Sequence, residues 1–266
     1  MPKIMSHKPV SFSGVMEVVE AFQGDHDVSW FRGVEKSNHH LSPSIFRHPA
    51  KQTIEEIHEI EKQMSSVFEQ RSPPFVSQAF KSEWEQMFYM QHYGIPTRLL
   101  DWTESPYIAL YFALSSCERN ASGEPKNDAA LWMLDPAAWN KGALADISYG
   151  GGVLDAGKEQ VKAYSPKTEL DERKNSPIMI YGTHNSPRIV AQRGMFALFG
   201  KKTESMERCF SAGGFEQGTL QKVLIKKEFR DDVAKSLFRK GISDSPIYPD
   251  IFGLSLEHKR SFGLSQ

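Results

Sequence analysis

The run QHYGIPTRLLDWTESPYIALYFAL, residues 91–114, constrains this chain more than any other stretch. Gly94 and Pro96 stop a preceding helix, since glycine closes helices and proline cannot continue them. TRLLDW (97–102) then reads as a short strand, and PYIALYFALSSC (106–117) as a helix. Pro106 falls in a first helical turn, where its missing N–H is harmless, and Thr103 or Ser105 can cap. Strand and helix faces account for Leu99, Leu100, Ile108, Ala109, Leu110, Phe112 and Ala113 as core. They do not account for His92, Arg98 and Asp101. Buried polar groups cost roughly 1–3 kcal/mol each unless paired, so such interleaving points to a network or a site.

Upstream, residues 11–23 read as a helix that Ser11 or Ser13 can cap, with Val15, Val18, Val19 and Phe22 near helical spacing. HDVSWFRGV (26–34) is β-prone and turns at Gly33. From Thr53 to Gln70 the pattern is helical. Thr53 and Glu56 form a capping-box signature, and Ile54, Ile57, Ile60, Met64, Val67 and Phe68 share one stripe. A further helix covers about 77–92, with Phe80, Trp84, Met87 and Phe88 inward. Strands are expected at 129–136, 178–182, 222–229 and 188–200, the last interrupted around Gln192, Arg193 and Gly194. A helix at 230–240 precedes a coil-to-helix tail. Residues 140–176 are Gly-rich and charged, with YGGGVLDAG (149–157) the most mobile-looking stretch. Helices crowd the first half and strands the second. That predicts one α+β domain over 1–266, its helices mainly N-terminal and packed on a central mixed or antiparallel sheet.

With 266 residues, 39% of them hydrophobic, the chain can bury a sizeable core. A formal net charge of −1 gives no global pull toward nucleic acid or an anionic membrane. Cys117 and Cys209 stand in no metal-ligand or redox spacing, which predicts no metal site and a reducing, cytoplasmic setting. No apolar run of about 18 residues exists, so no membrane-crossing helix is expected.

Three groupings can carry chemistry. Arg32 beside Gly33 can present a guanidinium to phosphate or carboxylate, or else form a structural salt bridge with Asp101. Gln91, His92, Thr97, Arg98, Asp101, Trp102, Thr103 and Ser105 form the densest polar set, beside a helix N-terminus near Thr103 to Tyr107 that suits an anion. The structural alternative has Arg98 and Asp101 pinning a turn and His92 as a core imidazole. Asn185, Arg188, Gln192, Arg193 and Gly194 lie on the interrupted strand, where an irregularity can re-aim a side chain. There Gln192 can meet a ligand amide or ribose, or sit on a wet strand face. His39 and His40 form a loop pair without metal-ligand partners at useful spacing.

WFRG (30–33), the run 91–114, RIVAQRGMFALFG (188–200) and GISDSPIYPDIFGL (241–254) together resemble the FRG domain family, over roughly residues 20–255. That family's motif order is similar to the ADP-ribosyltransferase superfamily. The resemblance implies an ADP-ribosyltransferase-like fold and an NAD-using enzyme, a toxin or phage-conflict effector, with a protein or nucleic-acid acceptor. It implies catalytic roles for Arg32, His92, Asp101 and Gln192, and cofactor binding by Arg32, Arg98, Trp102, Thr103, Ser105 and Tyr107. On this analogy Arg32 holds the NAD diphosphate or ribose. Thr103 and Ser105 orient the nicotinamide ribose, and Trp102 or Tyr107 stacks on a ring. Gln192 stands where the superfamily carries a glutamate, so Asp101 or Glu104 has to supply the charge. Two alternatives follow from that departure. One is a non-catalytic module for a nucleotide, nucleic acid or partner protein; the other is a hydrolase of a nucleotide substrate using His92 and Asp101. Carboxylates facing Arg32 across a cleft favour catalysis.

Overall fold

The computed structural model describes residues 1–76, 78–182 and 187–264. Among these, seven strands build one sheet: β1 Met5–His7, β2 Trp30–Val34, β3 Leu99–Thr103, β4 Ala129–Leu134, β5 Ile178–Tyr181, β6 Gly194–Leu198 and β7 Leu220–Ile225. Their order is β1-β7-β4-β2-β3-β6-β5, with β1 parallel to β7 and the other neighbours antiparallel. The sheet is therefore mixed. β4 is buried at every position, as its unbroken apolar run AALWML requires of a strand covered on both faces.

The helices are α1 Phe12–Asp25, α2 Ile54–Arg71, α3 Glu83–His92, α4 Pro106–Leu114, α5 Pro136–Ala143, α6 Glu159–Lys162, α7 Pro187–Gln192, α8 Met206–Ala212, α9 Arg230–Phe238, α10 Asp244–Ile247 and α11 Ile251–Ser261. Helices thus occur in both halves of this α+β fold. Their starts follow the caps written in the sequence: Ser11, Ser82 and Ser105 each accept a backbone N–H, and Thr53 and Glu56 close a capping box.

Strand alternation divides the core. Phe31 joins the layer formed with α1, α4 and α9, through Val19, Ala109 and Val233. Trp30 and Val34 face the other way, toward Leu100, Trp102 and Trp132. Gly33 lies under α4, where a Cβ would come within 1.8 Å of the Ala109 carbonyl oxygen. This glycine is needed for close approach of the helix, not for a turn.

Three expectations change. RIVAQ is α7 rather than strand: Pro187 opens it, Arg193 takes a left-handed φ of 45° after it, and Gly194 begins β6. The inward face of α2 is Ile57, His58 and Glu61, while Val67 is exposed. Glu61 turns inward because Arg98 and Arg173 are buried there, at 2.6 and 2.7 Å from its carboxylate. The stretch 149–157 packs against the sheet edge, where Leu154 bonds the backbone of Met179 and Tyr181 at 3.2 and 2.7 Å. The sequence pattern gives no signal for β1, α5, α6 or α8. α3 begins at Glu83, and both Ser77 and Asn185 lie outside the described residues.

Candidate functional site: a cleft where the sheet opens

β2 and β3 are sheet neighbours that share a single residue pair, Phe31 opposite Thr103. Each is fully laddered on its other side, β2 to β4 and β3 to β6. Past that pair the two strands part, and the Arg32 guanidinium bridges the gap by donating to the backbone carbonyl of Asp101. A cavity of about 360 Å³ occupies this opening. Arg32 to Glu35 form one wall, Asp101 to Thr103 the other, and Ala109 and Phe112 of α4 the floor. Gln91 and His92 close it from the end of α3, and Arg188, Ile189 and Gln192 from α7. A larger hollow of about 710 Å³ between α2 and α3 contains none of the motif residues singled out above. The smaller cleft is where they meet.

The Asp101 carboxylate accepts from Gln91 Nε2 at 2.9 Å. Gln91 Oε1 in turn accepts from the Thr97 hydroxyl at 2.6 Å, so α3 and β3 hold the acid in one orientation. Glu35 supplies a second carboxylate on the opposite wall, accepting from the Ser116 hydroxyl at 3.2 Å. Burial pulls Arg32 below its ordinary pKa; nearby Asp101 opposes this, and Arg47 adds to it. Its Nε is buried without a hydrogen-bond partner among the described residues. His92 is also lowered, first by burial and then by Arg188, which favours the neutral imidazole. Arg188 lies over the Tyr248 ring, 4.3 Å from its centroid. Gln192 Nε2 donates to the Ile247 carbonyl at 3.3 Å, which ties α7 to the C-terminal segment.

The cleft therefore gathers Arg32, His92, Asp101, Trp102, Thr103 and Gln192. Trp102 borders it but is 2% exposed, too enclosed to stack on a ligand ring. The Thr103 hydroxyl donates to the Gln192 carbonyl at 2.8 Å and accepts from Ser105 N–H, joining β3 to α7. Three candidates lie elsewhere. Arg98 is fully buried, its guanidinium taken by Glu61 and by the carbonyls of Phe199 and Tyr164. Ser105 caps α4 by accepting from Ile108 N–H at 3.4 Å. Tyr107 packs outside the cleft, with its ring 6.5 Å from that of Phe12. Glu104 is likewise absent from the walls, and the cleft meets the side of α4 rather than its N-terminus. Glu35 and the cleft-lining His39 escaped the sequence reading as site residues, although both follow closely on Arg32.

Among the described residues no helix is long and apolar enough to cross a membrane. Residues 27–122 match the model of the FRG domain. That stretch contains WFRG and the run 91–114, whereas 188–200 and 241–254 lie beyond it. No curated protein and no solved structure matches the chain.

Proposed function

We propose, on the premise that this chain carries an FRG domain over residues 27–122, that the cleft binds NAD and breaks its nicotinamide–ribose bond, as ADP-ribosyltransferases do. The supporting observation is the convergence of Arg32 and Arg188 with two carboxylates, Asp101 and Glu35, in one opening of the sheet. Arginine forks suit a diphosphate, and an oriented carboxylate suits an oxocarbenium-like centre.

In this reading Arg32 and Arg188 hold the diphosphate, and Phe112 and Phe196 bound the space for a ring. The C–N bond between ribose and nicotinamide breaks, and its electron pair leaves with nicotinamide. Asp101, oriented by Gln91, faces the positive ribose carbon. An acceptor nucleophile then bonds to that carbon and gives its proton to neutral His92. Asp101 takes the role that Gln192 lacks the charge to fill. A cytoplasmic toxin or phage-conflict effector is the setting proposed, on the family resemblance alone.

The reading is tested by incubating purified protein with NAD and separating free nicotinamide by chromatography. Release by the wild type and a fall of about 100-fold in Asp101→Ala support it, the usual scale for losing an electrostatic group at a reacting centre. Release independent of Asp101 contradicts it. A second reading, a nucleotide-binding module without turnover, is favoured by the Gln192 amide being engaged by Ile247. It predicts saturable NAD binding with no nicotinamide released.

A further inference from the structure

The cleft continues past His39, which borders both it and a second hollow of about 430 Å³. This hollow lies between the loop after β2 and the turn that precedes α8. Arg47 and Ser42 stand on one side, with Thr203, Ser205 and Arg208 on the other. Among the described residues neither Arg47 nor Arg208 has an ion-pair partner. Of the nearby acids, Glu207 is committed to His40 Nδ1 at 2.5 Å and to Leu41 N–H at 3.1 Å. Glu204 remains on the wall. Ser205 is 5% exposed, and its hydroxyl has no hydrogen-bond partner among the described residues. A buried hydroxyl left unpaired costs roughly 1–3 kcal/mol, which an incoming acceptor oxygen would relieve.

Arg47 is also close enough to disfavour the charged forms of Arg32 and His39. Gathered cations repel one another and favour a bound anion. The size of the central cavity points the same way. At about 360 Å³ it is near the lower end of small-molecule sites, roughly 300–1,000 Å³, so an extended nucleotide must run out of it. His39 marks the exit.

We infer that the second hollow is a phosphate subsite continuous with the cleft, in which Arg47 and Arg208 grip a phosphate ester and Ser205 donates to it. This rests on the reading of the cleft as a nucleotide site. The phosphate has two sources of the same chemistry: a further phosphate on the ligand itself, or the backbone of a nucleic-acid acceptor.

The test is calorimetric titration with inorganic pyrophosphate at fixed salt, using wild type, Arg32→Gln, and a triple variant that adds Arg47→Gln and Arg208→Gln to Arg32→Gln, so that the cleft's own grip on a diphosphate is weakened equally in the two proteins compared. Arg47 and Arg208 are exposed, so the two added changes preserve folding. The subsite predicts that Arg32→Gln still binds and that the triple variant binds about tenfold more weakly or worse, the scale of a lost charge-assisted contact. Equal affinity in Arg32→Gln and the triple variant, or no binding by Arg32→Gln, overturns it. Competition on Arg32→Gln then separates the sources. Displacement by NADP but not NAD assigns the ligand's own phosphate, and displacement by a 5′-phosphorylated oligothymidylate assigns the acceptor strand. Displacement by neither overturns the subsite. Nicotinamide release by the same wild-type preparation keeps the two claims apart: pyrophosphate binding without turnover retains the subsite and sinks the NAD reading.

Discussion

Arg32 donates to the backbone carbonyl of Asp101, and the carboxylate of that residue is left to Gln91. The salt bridge that a reading of residue types suggests is therefore not formed. The arginine bridges two parted strands, and the acid stays available in the cleft. Separating the two roles gives them different mutational signatures. Gln91→Leu leaves Arg32 in place but frees Asp101, so NAD turnover should fall, alongside a stability loss of roughly 1–3 kcal/mol from the buried Thr97 hydroxyl left without its acceptor. A fall of about tenfold in kcat with unchanged NAD affinity is expected, and loss of affinity alone would argue against the orienting role.

Gly33 is set by the passage of α4 across β2. Gly33→Ala puts a methyl carbon 1.8 Å from a helix carbonyl oxygen, which only movement of α4 can relieve. Destabilisation of about 3 kcal/mol or more is expected in urea unfolding, at the severe end for overpacking. A change under about 0.5 kcal/mol would mean that the helix sits farther from the strand.

Glu61, on α2, holds two buried arginines, Arg98 and Arg173. Burial alone would raise its carboxyl, but Arg98, His58 and Arg173 outweigh that and bring it down to about 2. Its folded pKa lies below the ordinary 4.5, so its contribution to stability is present above about pH 4.5 and is lost as pH falls toward about 2. Glu61→Gln, which leaves two buried guanidinium groups short of a charge, should cost about 3–5 kcal/mol at pH 7 and flatten the acid limb of the stability curve. Equal acid limbs in wild type and variant would contradict this.

His92 offers a titration that does not depend on turnover. Burial and Arg188 hold it below the ordinary 6.5, so its ring resonances should titrate below that value. Removing the nearby cation in Arg188→Gln should raise the midpoint. A midpoint unmoved by that change would place Arg188 too far away to act on the imidazole.

Much of this was legible in the sequence where the signal was local. The Thr53–Glu56 box, the Ser105–Pro106 helix start and the apolar run of β4 each carry their cause within a few residues. The misreadings came from elements too short or partners too distant. α7 spans six residues, less than two turns, and its Ile189 and Val190 read equally well as strand. Arg32 and Arg98 both flank apolar strand residues, and nothing local tells them apart. One lines a cleft; the other meets Glu61, 37 positions away, and is consumed in the core. Gly33 was readable as a special position, but its reason lay in α4. Glu35 and His39 gave no signal, because lining a cleft leaves no mark on hydrophobic periodicity.

The most direct measurement of the central claim is the rate of nicotinamide release from NAD by folded wild-type protein beside Asp101→Asn, a change that keeps the shape and removes the charge. Release by the wild type and a fall of about 100-fold in the variant are expected, with circular dichroism unchanged. Equal release by both proteins would contradict it, as would NAD bound by the wild type and left intact.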